Sequence, residues 1–86
     1  DIYSCELTAT SLNWIGIARP ERKMDIKVKI RSSHKEAEAT FTPVADERAK
    51  VKFKEPQMAI TPGQAVVFYD DDIVLGGGII ERSGGN

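Results

Sequence analysis

Apolar and polar residues alternate over several short stretches of this chain, which is the period of half-buried β-strands. The clearest stretch is DIKVKIRS, at 25–32, where three apolar residues alternate with three basic ones. The stretch EAEATFTPV, at 36–44, alternates in the same way after the polar turn SSHK. We expect these two strands to pair as an antiparallel hairpin around Ser33 and His34.

One hairpin register satisfies both faces of this pair, because it aligns apolar residues on one face and opposite charges on the other. A slip by one residue would spoil both alignments. The predicted partners are Ile26 with Phe41, Val28 with Ala39, Ile30 with Ala37, Lys29 with Glu38 and Arg31 with Glu36.

Further strands are predicted on both sides of this hairpin. In RAKVKFKE, at 48–55, Ala49, Val51 and Phe53 should point inward, and the lysines between them should flank the same glutamates. The N-terminal region predicts one strand at Ile2 to Leu7 and a second short apolar piece at Trp14 to Ile17, where TSLNWIGI could instead hold a helical turn. At the C-terminus, AVVFYD and IVLGGGII are separated by three aspartates.

These elements predict an all-β fold, a small antiparallel β-barrel of about six strands formed by residues 1–86 as a single domain. A sandwich has the same pattern, but open edges in so small a domain would expose strands such as QAVVFY to aggregation. Closure into a barrel is therefore expected.

Composition narrows the function classes. The 86 residues hold 12 Lys and Arg against 13 Asp and Glu, so overall charge gives no reason to expect nucleic-acid binding. The single Cys5 cannot form an internal disulfide, which fits a cytoplasmic protein. No apolar run is long enough for a membrane span, and no membrane partner is expected. The chain begins without Met, which suggests a fragment of a longer protein.

The motifs that could carry chemistry have simpler structural explanations. Gly76 to Gly78 lack the spacing of a dinucleotide fingerprint and the lysine of a P-loop, whereas glycines inside a strand mark a bulge, a bend or a close backbone approach. Asp70 to Asp72 lack the further oxygen ligands of a calcium site and fit a turn. His34 is expected in an exposed loop and Cys5 in the core, and no catalytic or metal site is predicted.

One surface feature could bind a ligand. Six cations, here called the basic stripe, alternate along two strands and could contact a phosphate backbone. Glu36 and Glu38 partly neutralise them, so an ordinary charged sheet face is the alternative. The basic stripe consists of Lys27, Lys29, Arg31, Lys50, Lys52 and Lys54.

The run EPQMAITPGQAVVFYDDDIVLGGGII, at 55–80, resembles the C-terminal segment of the tRNA-specific 2-thiouridylases, and LNWIG and KVKIR fit that family in the same order. The resemblance implies a tRNA-contacting β-barrel at the C-terminus of an enzyme that adenylates the wobble uridine with ATP and replaces its 2-oxygen with sulfur from a cysteine persulfide. It implies no cofactor in this domain, and ATP with Mg in the full-length enzyme. The implied partners are tRNA, the N-terminal ATP-binding and central domains of the same enzyme, and a sulfur-donor protein.

The resemblance also implies the contact residues. They are Arg31, its successor Ser32, and Gln64 of the TPGQ turn. Family members often carry an aromatic residue where this chain has Ser32, whose hydroxyl can still bind a phosphate. Cys5 matches neither catalytic cysteine motif. The alternative hypothesis is a freestanding barrel that binds a protein partner through apolar strand edges or the Trp14 region and has no enzymatic role.

Overall fold

The computed structural model describes residues 3–30, 36–45, 47–58 and 61–81, and its regular elements are all β-strands, so the predicted all-β class is confirmed. The six strands are β1 (Tyr3–Trp14), β2 (Met24–Ile30), β3 (Ala37–Ala45), β4 (Arg48–Met58), β5 (Ala65–Asp70) and β6 (Ile73–Glu81). Among these described residues, no helix could cross a membrane.

The strands close into an antiparallel barrel in the order β1-β4-β3-β2-β5-β6, with β6 pairing back onto β1. The predicted barrel of six strands is thus confirmed. In this order β5 lies between β2 and β6, and β4 is three strands away from β5 in either direction. Side chains that point outward from β4 and from β5 therefore lie on opposite sides of the molecule.

The predicted register of the β2–β3 hairpin is wrong by two residues. Phe41 lies opposite Met24 rather than Ile26, and Glu38 lies opposite Lys27 rather than Lys29. A shift of two residues keeps every side chain on its predicted face, so the alternation that excludes a slip by one cannot exclude a slip by two. The predicted partner of Glu36, Arg31, lies outside the described residues.

The N-terminal region is one long strand rather than two separate pieces. The pairing of β1 with β6 shifts between Thr10 and Asn13, and Ser11 within that bulge has a φ of 52°. A bulge bends a strand and increases its twist without ending it. The interruption predicted between the two apolar pieces is this bend, and Trp14 is the last residue of the strand rather than part of a helical turn.

The core contains the predicted inward residues of β4. Ala49, Val51 and Phe53 are all buried, while the lysines between them are exposed. At the centre Phe41 meets Phe68 edge to face, with ring centroids 5.5 Å apart, and Trp14 stacks on Phe68 at 5.6 Å. The other buried apolar residues are Leu7, Ala9, Ile26, Val28, Ile30, Ala39, Val66, Leu75 and Ile80.

Strands β5 and β6 form a hairpin through a two-residue turn. Asp70 pairs with Ile73, so Asp71 and Asp72 form the turn, and Asp71 has a φ of 54°, a conformation that aspartate tolerates better than most residues. The predicted acidic turn is confirmed, although Asp70 belongs to β5.

The glycines of β6 allow close backbone approach, as predicted. A Cβ at Gly76 would lie 2.3 Å from the Asn13 carbonyl oxygen, and one at Gly77 would lie 2.5 Å from the Val66 carbonyl oxygen. Because these neighbours are backbone atoms, a side chain at either position would have to displace a strand. The glycines therefore let β1 and β5 pack tightly on the two sides of β6.

Candidate nucleic-acid interface

Gln64 occupies the last position of a tight turn before β5. Pro62 and Gly63 are the central residues, Gly63 has a φ of +93°, and the Gln64 N–H donates to the Thr61 carbonyl at 3.3 Å. Proline followed by a glycine with positive φ is the signature of a type II turn. The sequence TPGQ therefore encodes the local geometry that fixes where Gln64 lies.

Two further hydrogen bonds attach this turn to the end of β6. The Gly63 N–H donates to the Ile80 carbonyl at 2.8 Å, and the Ile80 N–H donates to the Gln64 carbonyl at 2.8 Å. Gln64 is half-buried at the surface. The backbone of Gln64 is thus held by both a local turn and a neighbouring strand, as a residue that positions a ligand requires.

The other two predicted contact residues, Arg31 and Ser32, lie outside the described residues. The last described residue before them, Ile30, ends β2 and pairs with Val66 of β5. Val66 is two residues after Gln64 in the chain. The described end of β2 and the Gln64 turn therefore belong to the same end of the barrel, which we call the Gln64 end.

The described lysines of the basic stripe are divided between two strands that are not neighbours. Lys27 and Lys29 point outward from β2, which is next to β5, whereas the three lysines of β4 point outward two strands further around the barrel, on the side opposite β5. Strand β3 separates the two groups and contributes Glu38. The described lysines of the stripe therefore point in different directions around a closed barrel, a geometry that strand alternation alone cannot show.

Lys54 forms an ion pair with Glu38, with 3.0 Å between Nζ and Oε1, which confirms for this lysine that β4 flanks a glutamate of the hairpin, whereas Lys50 and Lys52 lie opposite threonines of β3. The hydrogen bond from Lys54, followed by the attraction of its charge, lowers the pKa of Glu38 from its ordinary value of 4.5. The same hydrogen bond, followed by the charge of Glu38, raises the pKa of Lys54. Both side chains are 63% exposed, so the pair contributes little to stability.

Carboxylates also surround the other lysines near this pair. Lys27 Nζ lies 4.0 Å from Asp71 Oδ1, and Lys52 lies opposite Glu6 in the β1–β4 register. A cleft of about 190 Å³ beside Lys27 and Lys54 contains four acids and two lysines, and the cleft on the other side of Lys54 contains three acids and one lysine. A phosphate group would meet net negative charge in both clefts.

A second charged group lies beside the Gln64 turn. The Arg48 guanidinium donates to Glu81 Oε1 at 2.7 Å, and Glu81 directly follows the Ile80 that holds the turn. No sequence signal predicts this pair, because the two residues are 33 positions apart and meet only through barrel closure.

Neither the glycines nor the aspartates form a ligand site among the described residues. The space around Gly76 and Gly77 is filled by the backbone of β1 and β5, so no phosphate of ATP could enter, and these residues do not fit that cofactor. No group of three or more His, Cys, Asp or Glu residues in the described ranges could hold a metal ion.

The prediction that Cys5 belongs to the core is wrong, because Cys5 is exposed. Alternation from the buried Leu7 would place Cys5 inward, but the pairing of β1 with β4 shifts between Ser4 and Glu6 and interrupts that alternation. The prediction for His34 concerns a residue outside the described ones.

Comparison with known proteins supplies the family. The model of the aminomethyltransferase β-barrel domain matches residues 4–80. The tRNA-specific 2-thiouridylase MnmA of Acetivibrio thermocellus is 56% identical over 81 residues, which cover 94% of this chain and 23% of the relative. The MnmA 2 protein of Caldanaerobacter subterraneus is 54% identical over 82 residues, covering 95% of this chain and 22% of that protein.

The tRNA-specific 2-thiouridylase MnmA of Clostridium beijerinckii is also 54% identical, with 94% of this chain and 23% of that protein covered. The chain thus spans less than a quarter of the length of these curated relatives, and it matches their C-terminal part. A match over nearly the whole closed barrel is decisive, and the chain belongs to the aminomethyltransferase β-barrel domain family found in the tRNA-specific 2-thiouridylases.

Proposed function

We propose that this chain is the C-terminal, tRNA-contacting barrel of a cytoplasmic tRNA-specific 2-thiouridylase. The observation that carries the proposal is the anchored TPGQ turn, which presents Gln64 beside the described end of β2, within a chain about 55% identical to proteins with that name. Loop tips held by a rigid scaffold are common locations for contact residues.

In this proposal the barrel binds and orients, and the chemistry occurs elsewhere in the longer enzyme. ATP with Mg, the adenylation of the wobble uridine and the transfer of persulfide sulfur from a donor protein are assigned to the preceding domains. The packing around Gly76 and Gly77 supports this division, because the glycine run that could suggest a phosphate loop has no space for one.

Within the barrel, Arg31, Ser32 and Gln64 are the proposed tRNA contacts. The arginine provides a charge-assisted bond to phosphate, and the hydroxyl and the amide provide neutral hydrogen bonds. Such contacts fix the position of the RNA rather than read its sequence. A protein-interaction module without enzymatic role is the less favoured function, because the relatives described above are named as tRNA-modifying enzymes.

The test is tRNA binding by the full-length enzyme at several salt concentrations. We expect R31A to weaken binding by about 1–2 kcal/mol and to reduce the salt dependence, and Q64A to weaken binding by about 1 kcal/mol with the salt dependence unchanged.

Two control variants match these changes. R22A removes an exposed arginine just before β2, and Q57A removes a half-buried glutamine whose side chain donates to the Glu55 carbonyl at 3.0 Å. Both controls should bind tRNA like the unchanged enzyme. Equal affinity and equal salt dependence for R31A, Q64A and the controls would remove the proposed site.

A further inference from the structure

We propose that Lys29 is an additional phosphate-contacting residue, and that the tRNA surface of the barrel follows the seam between β2 and β5 rather than the basic stripe. The inference rests on the proposed function, since it extends the surface around Gln64. Lys29 differs from the lysines of β4 in its position around the barrel and from Lys27 in the charges next to it.

Position favours β2. Gln64 directly precedes β5, and the two strands that pair with β5 are β2 and β6. The outward positions of β6 that pair with β5 are Val74, Gly77 and Ile79, which carry no charge, and the charged residue that follows them on β6 is the acid Glu81. Lys29 pairs with Val67, which is three residues after Gln64. At about 3.3 Å per residue, the backbones of Lys29 and Gln64 therefore lie about 10 Å apart along the seam.

Local charge distinguishes Lys29 from Lys27 on the same strand. Lys27 has Glu38 opposite in the register and Asp71 at 4.0 Å. Lys29 has the apolar Val67 opposite on β5, and within the described residues no carboxylate lies within 4.0 Å of its ammonium group. Glu36, directly before β3, continues the register and lies opposite Lys29 as Glu38 lies opposite Lys27, but it is exposed and forms no ion pair with Lys29. The difference between the two lysines is therefore Asp71, which lies within 4.0 Å of Lys27.

The half-buried state of Lys29 also suits a contact residue. Lys29 is half-buried and lies opposite Val67 in the register, and partial burial of a lysine stem reduces the conformational freedom that binding a phosphate would remove. The ammonium group at the end of the stem can still reach solvent or a ligand. A lysine acts on phosphate as a point charge, so its contribution should appear in the salt dependence of binding.

Lys50 provides a matched control. It lies between Thr8 and Thr42 in the register, and it too has no carboxylate within 4.0 Å among the described residues. It differs in pointing away from β5, on the opposite side of the barrel. A general attraction of tRNA to any unpaired lysine would affect Lys29 and Lys50 equally.

The experiment measures tRNA affinity between about 50 and 300 mM salt for the full-length enzyme carrying K29M, K29R or K50M. Methionine keeps the apolar stem, so it removes charge with little loss of packing. One phosphate contact contributes about 0.7–0.9 to the slope of log K against log salt, which corresponds to about five- to eightfold in affinity near 0.1 M relative to 1 M salt. We expect K29M to lose about that much slope and about that much affinity. K29R and K50M should keep the slope and the affinity of the unchanged enzyme.

Thermal unfolding of each variant distinguishes lost contact from lost structure. If K29M unfolds like the unchanged enzyme and binds tRNA with the same affinity and slope, the inference is wrong. Equal losses for K29M and K50M would also overturn it, because they would show a diffuse charge effect. R31A in the same assay separates the two proposals: an effect of R31A without one of K29M would leave the proposed function standing and remove only Lys29.

Discussion

The outer surface of this barrel has two different sides. The charged side consists of the outward residues of β2, β3 and β4, where Lys27, Glu38 and Lys54 follow one another across the strands. The apolar side consists of β5 and β6, where no charged residue occurs between Ala65 and Tyr69 or between Ile73 and Ile80. On the apolar side Ile73 is 66% exposed and Ile79 is 38% exposed.

This difference shows that a run of cations in the sequence does not by itself mark a binding surface in the fold. The charged side holds most of the lysines, yet its cations are interleaved with carboxylates. The Gln64 turn lies at the start of the apolar side, where it meets β2. Lys29 lies at the boundary between the two sides, beside the apolar Val67, and no carboxylate of the described residues lies within 4.0 Å of its ammonium group.

The largest effect on stability should come from the apolar side, because its strands depend on close backbone contact. We expect G76V to lower the free energy of unfolding by about 3 kcal/mol, since its Cβ would lie 2.3 Å from the Asn13 carbonyl oxygen and 2.8 Å from the Trp14 ring. Urea unfolding of the 86-residue chain measures the change. T42V, on an outward half-buried position of the charged side, is the control and should change stability by less than about 0.5 kcal/mol.

The ion pair on the charged side should have a smaller effect on stability, and the pKa of Glu38 is the most sensitive measure of that pair. Nuclear magnetic resonance titration should find that pKa below 4.5, and K54M should raise it toward 4.5, because the hydrogen bond and the charge of Lys54 are lost. K50M, which removes a more distant lysine, should leave it unchanged. A Glu38 pKa that does not respond to K54M would show that the pair is absent in solution.

The same pair gives the sign of a pH dependence. The carboxyl of Glu38 has a lower pKa in the folded chain than in the unfolded one, so its contribution to stability is present above the unfolded pKa and is lost as the pH falls through the folded pKa. The reverse holds for Lys54, whose raised pKa gives a contribution that is lost only as the pH rises through it. Both contributions should be small and should decrease with salt, since both side chains are largely exposed.

Much of the fold could be predicted from alternation, because burial on one face fixes which residues point inward. Ala49, Val51 and Phe53 are buried as predicted, and the turn at Asp71 and Asp72 is where the acidic run indicated. The β2–β3 register could not be fixed, because a slip by two residues preserves both faces. The exposed Cys5 could not be predicted either, since the irregular pairing of β1 with β4 depends on strands that are distant in sequence.

The candidate site could be predicted only in part. Pro62 and Gly63 predict a turn by their own conformational preferences, so the location of Gln64 follows from local sequence. The separation of Lys29 from the lysines of β4 depends on strand order, and the pair of Arg48 with Glu81 depends on closure. Neither can be read from residues that are neighbours in the chain.

The two turns at the ends of β5 allow the most direct test of where tRNA lies. Thr61 in the TPGQ turn and Asp72 in the acidic turn are both exposed. A photoreactive p-benzoyl-phenylalanine can be placed at either position in the full-length enzyme, which is then irradiated with bound tRNA. We expect crosslinking to tRNA from position 61 and little from position 72. Crosslinking from position 72 alone, or from neither position under conditions where tRNA is bound, would contradict a tRNA contact at the Gln64 end of the barrel.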